Sequence, residues 1–109
     1  MRYRFVDKYN YGSPYIYIHP YKQHVVKTIV DNTFPEISQI IVFGSSITTA
    51  CKPYSDVDIC VIGDFDDEHL SSLRVRGEAI DITHFKTVGM LLQDSRLADE
   101  VKKGVRVHG

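Results

Sequence analysis

Two carboxylates stand two residues apart at the start of an otherwise apolar run, Ser55-Asp56-Val57-Asp58-Ile59-Cys60-Val61-Ile62. This segment restricts the fold more than any other. Side chains of an extended chain alternate faces, so Val57, Ile59 and Val61 point one way and Asp56 and Asp58 the other. Neighbouring negative charges at the end of an apolar strand are costly unless cations share the site. Hard divalent cations such as Mg²⁺ take oxygen ligands and commonly bring phosphates with them. Upstream, Gly44-Ser45 closes a second apolar run, Ile41-Val42-Phe43. Backbone N–H groups and a hydroxyl can cradle an anion there. A phosphate grip followed by a metal grip is the simplest account of the two segments.

The surrounding periodicity predicts an α/β domain. Pro20 suits a first helical position, and Tyr21, Val25, Val26, Ile29 and Val30 follow at helical spacing. That helix should end between Asn32 and Phe34, because Pro35 disfavours a helical residue before it. Strands are expected at Ile37 to Phe43, Asp56 to Ile62 and Glu78 to His84, with a final short one at Val105 to Val107. Between them, Ser45 to Cys51 reads as a short helix or loop, and Gly63 to Glu68 as a turn into a helical stretch reaching Leu73. Residues 87–103 read as largely helical, and Lys102-Lys103 at that end suits the helix dipole.

A chain of 109 residues is one domain in size. The expected division is a tyrosine-rich arm at residues 1–18 and the folded domain at 19–109. Tyr3, Tyr9, Tyr11, Tyr15 and Tyr17 crowd the arm, and Tyr15-Ile16-Tyr17-Ile18 alternates like a short strand. The arm reads first as rings packed on their own domain, and second as a contact surface for a partner. Thirteen basic against fourteen acidic residues leave a net charge of −1. This balance offers no bulk attraction to nucleic acid or anionic membrane. No apolar run approaches the ~20 residues that span a bilayer, and the N-terminus lacks the apolar core of a signal peptide. Cys51 and Cys60 have no disulfide or zinc spacing, so they read as reduced thiols of a cytoplasmic protein. Cys60 is expected in the core.

Asp81 extends the acidic pair. It lies between Ile80 and Ile82, in a strand where acids are disfavoured. In nucleotidyl transfer a nucleophile attacks the α-phosphorus of a nucleoside triphosphate and expels pyrophosphate. Charge then develops on entering and leaving oxygens, and two metal ions can stabilise both. Asp56 and Asp58 could bridge the metals, and Asp81 could complete one site and take the nucleophile's proton. Gly44 permits close backbone approach, Ser45 can hydrogen-bond a phosphate oxygen, and Ser46 can assist.

The order hydrophobic-Gly-Ser, ten intervening residues, Asp-x-Asp, then a strand Asp resembles the DNA polymerase β-type nucleotidyltransferase superfamily. Within it the short chain is similar to the minimal nucleotidyltransferases over about residues 24–108. That resemblance implies a small mixed sheet packed on helices, with Gly44, Ser45, Asp56, Asp58 and Asp81 at the phosphate- and metal-binding positions. It also implies Mg²⁺, ATP or another nucleoside triphosphate as substrate, and a protein partner. Antitoxin members of the group transfer AMP from ATP to a tyrosine of an all-helical HEPN ribonuclease toxin. Many minimal members carry an Arg soon after Gly-Ser, where this chain has Ser46-Ile47-Thr48-Thr49-Ala50 and Lys52 as its first cation.

The expected function is therefore Mg²⁺-dependent transfer of a nucleoside monophosphate, AMP first, onto a hydroxyl of a partner protein. Two rivals differ in class. One is a weakly active or inactive nucleotide-binding module that neutralises its partner by contact; the other is a stand-alone transferase for a small hydroxylated molecule. Asp64-Phe65-Asp66 repeats the Asp-x-Asp pattern, but in a polar turn with no Gly-Ser at the right distance. His19, His24, His69, His84 and His108 form no metal-ligand spacing, with His84 the nearest to Asp81. Arg74 and Arg76 flank the turn before the Asp81 strand and read first as surface residues.

Overall fold

In the computed structural model, which describes residues 18–109, helix α1 (Pro20–Asp31) begins at the proline. Its N-cap is His19, whose Nδ1 accepts from the Tyr21 N–H at 3.2 Å. Val25, Val26, Ile29 and Val30 form its buried stripe, and the helix closes at Asn32 ahead of Pro35. The tyrosine-rich arm and its short strand lie outside the described residues apart from Ile18, which is fully buried.

Four strands follow: β1 (Ile37–Phe43), β2 (Val57–Gly63), β3 (Ile80–Phe85) and β4 (Val105–His108). Their order across the sheet is β3-β2-β1-β4. β2 and β3 run parallel, whereas β1 is antiparallel to both β2 and β4. The sheet is mixed, and helices pack on both of its faces. Alternation along β2 explains how. Val57, Ile59 and Val61 join the α1 stripe, Ile40, Val42 and Val107 in the main core, while Cys60 and Ile62 pack with Ile41, Leu91 and Val101 on the other side. A side chain of Val, Ile or Leu buried in this way contributes about 1.5–3 kcal/mol. Asp58 shares its face with Cys60 and Ile62, at the end of the strand that the second layer leaves half-exposed.

Several boundaries differ from the sequence expectation, each for a local reason. β2 starts at Val57, so Asp56 precedes the ladder, and β3 starts at Ile80 because Val75 to Glu78 form a turn closed by the Glu78 N–H on the Val75 carbonyl at 3.0 Å. The expected helix over 87–103 is two helices, α2 (Val88–Gln93) and α3 (Ser95–Lys102). Asp94 leaves the helical region, and its carboxylate accepts from the Leu97 N–H at 3.1 Å to cap α3. Aspartate is a favoured N-cap, but apolar periodicity continues across it and hides the break. Residues 67–73 and 44–47 form 3₁₀ turns rather than α-helix.

His84 is structural. Its Nδ1 lies 2.6 Å from Asp67 Oδ1 and its Nε2 lies 2.8 Å from the Gly63 carbonyl. Its ring stacks on Phe65 at 4.1 Å, on the face opposite Asp81. Phe65 itself is buried between Phe34 and His84, so Asp64-Phe65-Asp66 is an anchored turn with its acids exposed.

Cys60 is wholly buried, and burial pushes its thiol up to about 11. A thiol so protonated and covered is a poor nucleophile. Native protein at pH 7.5 should therefore react with a maleimide at Cys60 only as fast as it opens, and unfolding in guanidinium should release full reactivity. Rapid native labelling of Cys60, read by peptide mass, would contradict this packing. Among the described residues no helix is long and apolar enough to cross a membrane.

Candidate active site

Register brings the acids together. Asp58 of β2 pairs directly with Asp81 of β3, flanked by Val57 opposite Ile80 and Ile59 opposite Ile82. In a parallel sheet, paired residues share a face, and neighbouring strands lie about 4.8 Å apart. Ile80 and Ile82 pack in the main core with Val57 and Ile59, which puts Asp58 and Asp81 together on the other face. Asp56 lies two residues before Asp58 and is exposed, as is Asp81. Three causes hold the Asp58 carboxyl above its usual range: partial burial first, then the charge of Asp81, then that of Asp56. Asp58 thus senses the other two aspartates at the end of the sheet.

The other half of the site comes from β1. Phe43, its last residue, pairs with Asp58, and the chain then turns at Gly44 with φ +74°. That conformation favours glycine, and space demands it too. A Cβ at Gly44 would fall on Asp58 Oδ2 and stand 3.3 Å from Asp58 Cγ. The Gly44 turn and the Asp58 carboxylate are therefore in contact, although they are fourteen residues apart in the chain.

Ser45 and Ser46 part company. Ser45 is half-buried, and its carbonyl accepts from both the N–H and the hydroxyl of Thr48 at 3.0 and 3.1 Å. Ser46 is 0% exposed, and its hydroxyl has no hydrogen-bond partner among the described residues. Ser46 is expected to assist at a phosphate, and its side chain points about 120° away from that of Ser45, as successive side chains of a 3₁₀ turn do. With Ser45 toward the open side, Ser46 turns inward.

Two cations flank this arrangement. Arg74 is exposed, in keeping with the surface reading, and donates through Nη1 to the carbonyl of Ile80, the residue before Asp81. Lys22 was passed over in the sequence. It is only 2% exposed, and its ammonium donates to the Pro53 carbonyl at 3.0 Å. The signal was present, since position 22 falls on the stripe of Val25, Val26 and Ile29.

The donor set is all carboxylate oxygen and short of positive charge around Asp58, which fits a hard divalent cation. Among the described residues, no three His, Cys, Asp or Glu side chains gather closely enough to hold one ion by themselves. Further oxygens, such as those of a phosphate, would complete the coordination.

Residues 21–105 match the family model described as "Poly(A) RNA polymerase, mitochondrial-like, central palm domain". The chain belongs to this family. No curated protein is significantly similar to it. As a palm domain of the poly(A) polymerase-like family, the four-stranded sheet with its helices is a nucleotidyltransferase-type fold, and nucleotidyl transfer from a nucleoside triphosphate is the general chemistry of such domains. Palm domains of this kind generally use divalent metals.

Proposed function

We propose that this palm domain transfers AMP from ATP, with Mg²⁺, onto a hydroxyl of a partner protein. The observation that carries the chemistry is the Asp58–Asp81 pairing against the Gly44 turn. In this reading Asp56 and Asp58 would hold both metals and Asp81 one of them. When bound, Mg²⁺ supplies Lewis-acid charge to the phosphate oxygens. Backbone N–H groups after Gly44 and the Ser45 hydroxyl hold the triphosphate. The attacking hydroxyl oxygen forms a bond to the α-phosphorus, the bond from that phosphorus to the pyrophosphate oxygen breaks, and the hydroxyl proton passes to Asp81. Arg74, tied beside Asp81, offers charge to the polyphosphate in place of the arginine that related minimal enzymes carry after Gly-Ser.

A protein acceptor follows from the resemblance to antitoxin members of the superfamily, with a HEPN-like toxin as the partner and the cytoplasm, where Cys51 and Cys60 stay reduced, as the setting. The near-neutral charge balance supports it against an RNA acceptor. The family description favours a second reading, in which the acceptor is an RNA 3′ hydroxyl.

Incubation with α-labelled ATP, Mg²⁺ and either the candidate partner or an oligoribonucleotide separates these readings. Label covalent to the partner is the expected result. Label on RNA alone would replace the acceptor, and ATP binding without label on either would favour the contact-neutralising module. Failure to bind ATP–Mg²⁺ at all would overturn the assignment.

A further inference from the structure

The first turn of α1 is fastened to both halves of the candidate site. The His19 N–H donates to the Ser46 carbonyl at 2.7 Å, and the Lys22 N–H donates to the His19 carbonyl at 2.8 Å. From the same turn the Lys22 side chain crosses to the Pro53 carbonyl. One bond grips the turn that follows Gly44; the other grips the loop that delivers Asp56. That loop is itself closed tightly, with the Lys52 N–H on Ser55 Oγ at 2.9 Å and the Ser55 N–H on the Lys52 carbonyl at 3.0 Å. Its far end enters β2, where the Val57 N–H meets the Ala79 carbonyl at 3.0 Å.

The choice of lysine at this point is energetically odd. Burying an ammonium is expensive unless a carboxylate offsets it, and among the described residues none lies within ion-pair distance of Lys22. A single carbonyl could be met by a neutral donor, and the stripe position itself favours an apolar side chain. A buried polar side chain kept where an apolar one would pack is a candidate for a functional role. Its place, behind the loop that precedes two aspartates, gives the charge a use.

We propose that Lys22 is a positioning residue. Its ammonium clamps residues 51–55 onto α1 and so holds Asp56 in line with Asp58 and Asp81. The proposal rests on the reading of those aspartates as metal ligands.

The test uses the full chain with Lys22→Met, which keeps the stem and removes the charge, and Lys22→Gln, which keeps a donor. Mn²⁺ in the presence of ATP is the probe, read by electron paramagnetic resonance, with thermal melting alongside. Both variants should fold and melt at or above the wild-type temperature, yet bind Mn²⁺–ATP about tenfold more weakly, the lower end of what outer-shell partners of a metal cost. A residue that merely held the fold together would lower the melting temperature instead. Wild-type Mn²⁺–ATP affinity in Lys22→Met would overturn the proposal, as would loss of folding in both variants. Asp58→Asn separates the two readings. Should wild type bind Mn²⁺–ATP no better than Asp58→Asn, the metal assignment itself fails. If Asp58→Asn loses binding while Lys22→Met keeps it, only the role of Lys22 does.

Discussion

Asp58→Asn will melt at a higher temperature than wild type in metal-free buffer at neutral pH and will transfer nucleotide at least about 100-fold more slowly, the upper end of what even outer-shell metal partners cost. Both effects have one origin. The folded protein holds the Asp58 carboxyl above its ordinary value of 3.8, through burial and then through Asp81 and Asp56. A folded-state value above the unfolded one means that the folded state binds the proton more readily. Stability from this group is thus fully present below about 3.8 and is lost as pH rises through the raised folded value. At neutral pH the carboxylate opposes folding, and the amide removes that opposition. The carboxyl is only partly buried, so solvent screens much of this repulsion, and a rise of a few degrees is expected at roughly 4–8 °C per kcal/mol for a domain of this size. The gap between mutant and wild type should close as pH falls toward 4. Saturating Mg²⁺ should raise the wild-type midpoint and leave the mutant's unchanged. Equal midpoints at pH 7 and equal turnover would remove Asp58 from the site.

Gly44→Val should abolish ATP–Mg²⁺ binding, whereas Ser45→Ala should only weaken it. At φ +74° a non-glycine residue costs about 1–3 kcal/mol, and a β-branched one belongs at the upper end. The new Cβ would also meet the Asp58 carboxylate, so one substitution disturbs the phosphate turn and a proposed metal ligand together. Ser45→Ala removes one hydrogen bond, worth about 0.5–3 kcal/mol depending on the charge of its partner. Calorimetric titration of both proteins measures the difference, with Gly44→Ala as the milder variant if valine prevents folding. Wild-type ATP affinity in a folded Gly44→Val protein would show that phosphate is held elsewhere.

Much of the architecture was legible because local patterns and tertiary demands agree. Pro20 and the valine stripe mark α1, and the run Ile37 to Phe43 is a strand from first residue to last. Alternation in β2 assigned Val57, Ile59 and Val61 to the core and Asp58 to the other face, and two cores on opposite sides of the sheet realise that division. The break at Asp94 was missed because a cap is one residue's hydrogen bond, while periodicity averages over many. The burial of Ser46 was illegible for a similar reason. A hydroxyl beside a glycine turn looks available until the turn's pitch rotates it inward.

The types and spacing of the candidate site residues are written in the chain: glycine and serine after one apolar run, two aspartates opening the next, and a third between isoleucines. These are chain-local properties, set by what each backbone position and each face will accept. Folding alone brings Asp81 beside Asp58, Gly44 against the Asp58 carboxylate, and Lys22 across to Pro53. Strand register and helix docking set those distances. They are fixed by the simultaneous burial of many side chains around one sheet, which no single stretch of the chain encodes.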